Sequence, residues 1–280
     1  MTAIAIWCNH ERPENPGLWI AADSRVSDSD GDLLIDDAAK IFALPVIGRT
    51  VGADGFFTKL HYAHSYGYCF TGNTLLGQNA YLSLFPLLTD LVSFSDDPNS
   101  IPSLADVASY IHRYLSLTFD ACKGRRAEHS IFEVALFGHC TRTNSLSAYH
   151  FITKQDCEDG IFKVTYKSHE NMQENDFIYL GTKASNIPSQ IEAAFRVTSL
   201  PARPTSRAPR YVIQDHINDV SVPTIGGDLQ LGIADKLGFR ALKLMKPSVA
   251  ESAIVSYLGR DLMSDLQWVG PAWVGSQFMT

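Results

Sequence analysis

Three residues near the start of the chain have types and positions that could do chemistry together. Thr2 directly follows the initiator methionine and directly precedes the apolar run AIAIWC. A side chain that small at position two permits methionine removal, which leaves threonine as the new N-terminus. Its hydroxyl then sits beside a free α-amine with an unperturbed pKa of about 7.7–8.0, suited to a general base near neutrality. One residue thereby carries both nucleophile and base. Such a pair needs a cation to hold down the amine's pKa, and an anion to hold that cation. The stretch GLWIAADSRVSDSDGDLLIDDAAKIF, from Gly17 to Phe42, offers both: Asp23 closes one apolar run and Lys40 opens the next. They meet Thr2 if the first three strands are neighbours. Taken singly, each residue has a plainer reading: the second residue of any chain, a turn cap, and a solvated lysine at a strand edge.

Other motifs carry less. VSDSDGDLLIDD has Gly31 at a sharp turn, as a calcium loop would. In that register its first ligand position is Val26 and its last is Asp37, not a bidentate glutamate, so a solvated acidic turn is the better reading. His61 and His64 could share a helical face, but no third metal ligand accompanies them, which makes them surface or pocket-lining histidines. TGNTLLGQ lacks the Gly-Lys-Ser/Thr ending of a phosphate loop, and there is no Gly-x-Ser-x-Gly elbow. No metal or cofactor is expected.

The elements that must position these residues follow from patterning. TAIAIWC, GLWIAAD, AKIFALPVI and YGYCFTG are strands, apolar on both faces as covered strands are. NTLLGQNAYLSLFPLLTDLV is a long apolar helix that Pro86 kinks or divides. In the next helix Leu104, Val107, Ala108, Ile111, Leu115 and Phe119 recur at helical spacing, and Ser103 with Asp106 fits a capping box. SIFEVALFGHC, LSAYHFIT, IFKVTYKS and DFIYLG are further strands. A helix from Ser185 to about Val197 admits Pro188 in its first turn. After the loop SLPARPTSRAP, a short helix presents Ile213, His216, Ile217 and Val220 on one face. IGGDLQLGIADKLGFRAL is a closing hairpin, and the tail from about Lys246 has no clear pattern. Blocks of strands and helices in this order fit two packed antiparallel sheets with helices outside, an α+β architecture.

The 280 residues can bury a sizeable core. With 45% hydrophobic and 19% charged residues, the composition is that of a globular protein. A net charge of −7 argues against a broad nucleic-acid or anionic-membrane surface. The five cysteines (Cys8, Cys69, Cys122, Cys140 and Cys157) form no CxxC pair or zinc spacing, so they read as reduced thiols, mostly in the core. There is neither a secretory signal nor an apolar run of membrane-spanning length, and the expectation is a soluble cytoplasmic protein.

The order of N-terminal threonine, IAADSR, AKIF, and a glycine after a short strand resembles the proteasome β-subunit family of N-terminal nucleophile hydrolases, particularly its bacterial self-compartmentalising members. The resemblance covers roughly residues 2–243, and leaves 244–280 as an extension of unknown role. It implies a four-layer αββα sandwich. It implies Thr2 as nucleophile, Asp23 and Lys40 as the charge pair, and the Gly72 N–H as oxyanion donor. Thr182 and Asp219 would be supporting residues. Val26, Ser27, Ala38, Phe42, Phe70 and Thr74 would bind substrate; none is charged, which points to an apolar side chain on the acyl side of the cleaved bond. The implied function is hydrolysis of a peptide or protein amide bond inside a closed homo-oligomer, a ring or related assembly; an ATPase unfoldase partner is left open. The chain departs from the family in DVSVPTIGG, where Thr224 or Ile225 stands in place of a serine. Two alternatives remain: an inert structural subunit of the same family, and an amidase acting on a non-peptide substrate.

Overall fold

The computed structural model describes residues 2–28, 30–121, 131–155, 162–181, 186–197, 203–246, 254–262, 266–274 and 278–279. In chain order the strands begin with β1 (Ala3–Asn9), β2 (Gly17–Ala22), β3 (Val26–Ser27), β4 (Leu33–Ile35), β5 (Ile41–Thr50) and β6 (Lys59–Gly72). Helix α1 (Thr74–Thr89), β7 (Leu91–Val92) and α2 (Leu104–Ala121) precede β8 (Phe132–Cys140), β9 (Ser145–Gln155), β10 (Phe162–His169) and β11 (Phe177–Gly181). After α3 (Ile187–Arg196) and α4 (Ala208–Asn218) come β12 (Gln230–Asp235), β13 (Gly238–Lys246), β14 (Ile254–Tyr257) and β15 (Arg260–Asp261). Three short strands end the chain: β16 (Trp268–Val269), β17 (Ala272–Trp273) and β18 (Phe278–Met279). Among the described residues, no helix is long and apolar enough to cross a membrane.

Two compact units divide the chain. The first holds residues 1–42, 174–233 and 240–280; the second holds 43–173 and 234–239. The first carries the eight-stranded sheet, in the order β11-β1-β2-β12-β13-β14-β15 with β18 beside β13. Its central strands β1 and β2 are buried along their whole length. One face carries Ala3, Ala5 and Ala21 towards one end and the paired Trp7 and Trp19 towards the other; α4 packs on β1 and β2, and α3 packs on α4. Ile187, Ile191, Val212 and Ile213 complete that apolar layer. Burying such side chains is worth about 1.5–3 kcal/mol each, enough to make this layer the anchor for the end of β1.

The second unit is built on the six-stranded sheet β10-β9-β8-β6-β5-β7. Helix α2 packs on β8, β9 and β10 with the six residues its periodicity predicts, and its capping box forms: Asp106 N–H donates to Ser103 Oγ while Ser103 N–H donates to Asp106. Helix α1 runs unbroken through Pro86, although proline removes one N–H donor there. It comes close to β6 at Gly77, whose carbonyl accepts from Tyr68 Oη at 2.8 Å.

Three expectations need correction. The architecture is not a four-layer αββα sandwich. Among the described residues it is a mixed α/β arrangement with 43% strand and 26% helix, spread over several antiparallel sheets with a curled half-barrel. The order of elements along a chain does not fix how strands partition among sheets: here β3–β4 and β16–β17 form separate two-stranded sheets, and β14, β15 and β18 extend the first large one. Val220 is not on the inner face of α4. The helix ends at Asn218, Val220 is 95% exposed, and the buried positions are Ala208, Pro209, Val212 and Ile213. The tail, finally, supplies strands to a sheet where no pattern was visible.

Candidate active site

The first unit brings Thr2, Asp23 and Lys40 together. Strand β1 pairs antiparallel with both β2 and β11, with Ala3 opposite Gly181 and Ile4 opposite Ala22. Residue 2 is thus held at the end of a central strand with a neighbour on each side. On one side the approach is so close that a Cβ on Gly181, which has φ +117°, would meet the Thr2 carbonyl oxygen at 1.9 Å. Only glycine fits there. On the other side Asp23, the first residue beyond β2, closes the ladder: its N–H donates to Ala3 O, and its Oδ1 accepts from Ala3 N–H at 3.0 Å.

Lys40 enters from the segment before β5. Its backbone is tied to β12, where Gln230 Oε1 accepts from Lys40 N–H at 3.1 Å and Gln230 Nε2 donates to Ala38 O at 2.6 Å. The ammonium has three N–H donors and meets three acceptors: Asp23 Oδ1 at 2.8 Å, the Arg25 carbonyl at 2.6 Å and Thr2 Oγ1 at 3.0 Å. All three side chains of the triad are buried. Asp23 Oδ2 is steadied in turn by the N–H groups of Arg25 and Gly226, at 3.3 and 3.4 Å. Burial pushes the Lys40 pKa below the ordinary lysine value, while the Asp23 carboxylate pulls it back up and the Arg25 guanidinium adds to the lowering.

This arrangement can polarise a hydroxyl. Thr2 Oγ1 accepts from Lys40, so its own proton is free to leave, and the charge developing on Oγ1 faces a cation held in a low-dielectric site. Among the described residues, no group of three or more His, Cys, Asp or Glu could hold a metal ion.

The other expected site residues are divided between the two units. Val26 and Ser27 form β3, at a bulge against β4, and Ser27 Oγ is buried without a hydrogen-bond partner. Ala38 N–H donates to Ser24 O, and Phe42 is half-buried two residues beyond Lys40. Gly72, Phe70 and Thr74 belong to the second unit. Gly72 ends β6 with φ +84°, Phe70 is buried with its ring against Gly77 of α1, and Thr74 opens that helix. Asp219 is exposed at the end of α4, where its Oδ1 accepts from Ser221 N–H at 2.9 Å. Thr182 lies outside the described residues, as do Cys122 and Cys157; Cys8, Cys69 and Cys140 are buried.

The acidic turn beyond β3 is organised by Asp28, whose Oδ1 accepts from the N–H groups of Asp30 and Asp32. In the second unit His61 Nε2 lies 3.1 Å from Ser100 Oγ, and His64 packs edge-on against Tyr66.

Sequence reasoning missed Arg25, Gly226 and Gln230. Arg25 bears on Lys40 through its carbonyl, while its guanidinium grips Asp36 at 2.6 Å and donates to Pro223 O at 2.8 Å. Gly226 is stitched to the Asp23 turn from both sides, its carbonyl accepting from Ser24 and Arg25 N–H. The adjacent Asp-Ser-Arg run was a signal for Arg25. A backbone N–H and a glutamine in distant segments gave none. Compared with protein-family models and with curated proteins, the chain matches neither a family nor an individual protein.

Proposed function

We propose that the protein is a threonine-dependent amide hydrolase, acting on peptide bonds through Thr2 after removal of Met1. The observation that carries this reading is the buried Lys40 ammonium, 3.0 Å from Thr2 Oγ1 and 2.8 Å from Asp23 Oδ1. A lysine placed this way on a surface would be a solvated charge. Withdrawn from water, with each N–H committed, it fixes the rotamer of the hydroxyl and favours its anionic form.

In the reaction Thr2 Oγ1 attacks the amide carbonyl carbon and its proton passes to the α-amine. The resulting ammonium protonates the departing amide nitrogen, the C–N bond breaks, and an ester to Thr2 remains. Water, losing a proton to the same amine, attacks the ester; Oγ1 recovers a proton and the carboxylic acid leaves. The resemblance to proteasome β-subunits enters through Thr2, Asp23 and Lys40 and not through the layering of the fold. Without Met1, Thr2 is the only residue whose hydroxyl and amine belong to one residue, so Thr2→Ala removes nucleophile and leaves the strand intact.

Intact-mass analysis tests the reading directly. The mature protein is expected to lack Met1 and to gain the full mass of one β-lactone probe at Thr2. The Thr2→Ala variant is expected to fold, and neither to take up the probe nor to turn over a fluorogenic peptide amide. An active enzyme that retained Met1 would refute the mechanism.

A further inference from the structure

The tail that begins after β13 has a place in the first unit that bears on the triad. Hairpin β14–β15 turns at Leu258 and Gly259, both with positive φ, +51° and +87°. That turn abuts the segment that carries Asp23. A Cβ built on Gly259 would stand 2.8 Å from Ser24 Cβ and 3.5 Å from Asp37 Cα. From the same hairpin Arg260 Nε pairs with Asp37 Oδ2 at 3.1 Å, and Ser256 Oγ donates to Asp228 Oδ2 at 2.8 Å. Asp228 completes a circuit, because its N–H donates to Ser24 Oγ at 2.7 Å while Ser24 Oγ donates to Asp36 O at 2.5 Å. Ser24 is buried, lies between Asp23 and Arg25, and so sits between two of the three groups that hold Lys40.

We propose that hairpin β14–β15 is a positioning element for the active site: through Gly259, Ser256 and Arg260 it clamps the Asp23–Ser24–Arg25 turn and thereby fixes the Lys40 ammonium on Thr2. Its catalytic consequence rests on the hydrolase reading, but the clamp itself does not. Neither Gly259 nor Ser256 touches the reacting atoms. Each acts on the turn's backbone, where a shift of a fraction of an ångström is passed to both the Asp23 carboxylate and the Arg25 carbonyl. Near-attack geometry is sensitive to displacements of that size. The two-residue turn by itself explains the positive φ at Gly259; what ties the tail to the site is the close approach, which leaves no room for a Cβ beside the Ser24 side chain.

The test reads Lys40 itself. In lysine-15N-labelled protein its ammonium signal is assigned by its loss in Lys40→Arg, and its titration is followed by NMR in wild type, Gly259→Ala and Ser256→Ala. The groups facing that ammonium are the Asp23 carboxylate, the Thr2 hydroxyl and the Arg25 carbonyl, with the Arg25 guanidinium beyond. Loosening the turn admits water, and burial is the largest influence on Lys40, so the midpoint is expected to move upward in Gly259→Ala and by less in Ser256→Ala. In parallel, kcat on a peptide amide is expected to fall about tenfold in Gly259→Ala with KM nearly unchanged. Ser256→Ala removes one hydroxyl and decides the matter if Gly259→Ala does not fold. Titration midpoints that coincide with wild type in the folded variants would overturn the clamp. Absence of both turnover and Thr2 acylation in wild type would instead overturn the hydrolase reading, with the Lys40 titration still deciding the clamp.

Discussion

Each unit holds a lysine–aspartate pair of nearly the same length, and the two differ in everything else. Lys40 and Asp23 in the first unit are 2.8 Å apart with side chains 3% and 0% exposed; Lys59 and Asp96 in the second are 2.7 Å apart and 56% and 58% exposed. Distance therefore says little about what a pair does. In water the attraction is screened and the ordering of two long side chains offsets it. Out of water, desolvation costs several kcal/mol per ion, and the pair persists only because other groups complete its hydrogen bonding. Asp23 accepts from the backbone N–H groups of Ala3, Arg25 and Gly226, and Lys40 donates to Arg25 O and Thr2. The Lys59 ammonium needs no such support, since solvent provides it.

Breaking the buried pair from the lysine side has the largest expected effect. Lys40→Met fills the same space without the charge, and turnover of a peptide amide should fall by about 10³-fold or more, a loss of both amine tuning and hydroxyl polarisation. The fold should survive, because Asp23 keeps its three backbone donors; circular dichroism and size-exclusion chromatography check that. Asp23→Asn comes next. The amide retains the shape but gives Lys40 no counter-charge, and kcat should fall about 10²-fold. Asp23→Ala should in addition cost about 3–5 kcal/mol in urea unfolding, as the loss of one partner leaves a buried charge unpaired. Full activity in Lys40→Met would make the pair structural.

pH sharpens the contrast further. Catalysis needs the α-amine neutral and Lys40 protonated, so kcat/KM should follow a bell. The acid limb belongs to the amine, whose unperturbed value is about 7.7–8.0. The alkaline limb belongs to Lys40 and should fall below the ordinary lysine value of 10.5, since burial lowers its pKa. Stability runs the other way in that window. Between the lowered folded pKa and the unfolded one, the unfolded chain binds more protons, so Lys40's contribution rises with pH. Activity lost on the alkaline side is then loss of the cation and not unfolding. Urea midpoints of wild type relative to Lys40→Met, measured across the same pH range, should increase.

How much of this was legible depends on how far apart in sequence the interacting groups are. Helix α2 could be read completely because one periodic segment contains its whole buried face, from Leu104 to Phe119. Thr2, Asp23 and Lys40 could be grouped because the β1–β2 ladder and the segment after it bring them together within 38 residues. The contacts that steady them span far more chain: 190 residues from Lys40 to Gln230 and 203 from Asp23 to Gly226. A backbone N–H leaves no trace in side-chain pattern. The tail was unreadable for a related reason, as strands of two to four residues have no periodicity of their own and exist by pairing. The layering was misread because blocks of strands and helices do not determine which strands share a sheet. Val220 was misplaced because spacing alone extended α4 past its cap at Asp219.

The smallest expected effect closes the comparison. Lys59→Ala removes the exposed pair while leaving the sheet position of β6 unchanged, for Lys59 is the first residue of that strand and its side chain is more than half in solvent. The hydrogen bond from Lys59 holds the Asp96 carboxyl below its usual range, but Asp96 is itself exposed and is rehydrated once the lysine is gone. Turnover and urea midpoint should therefore match wild type at about 0.15 M salt, where exposed charges are largely screened. At about 0.01 M salt a slight destabilisation should emerge, since the screening length grows to about 30 Å. The buried pair should show the reverse insensitivity: the penalty for Asp23→Ala should be nearly the same at both ionic strengths, because counter-ions do not reach it. A salt-dependent Asp23→Ala penalty would mean that Lys40 is open to solvent, and the distinction between the two pairs would collapse.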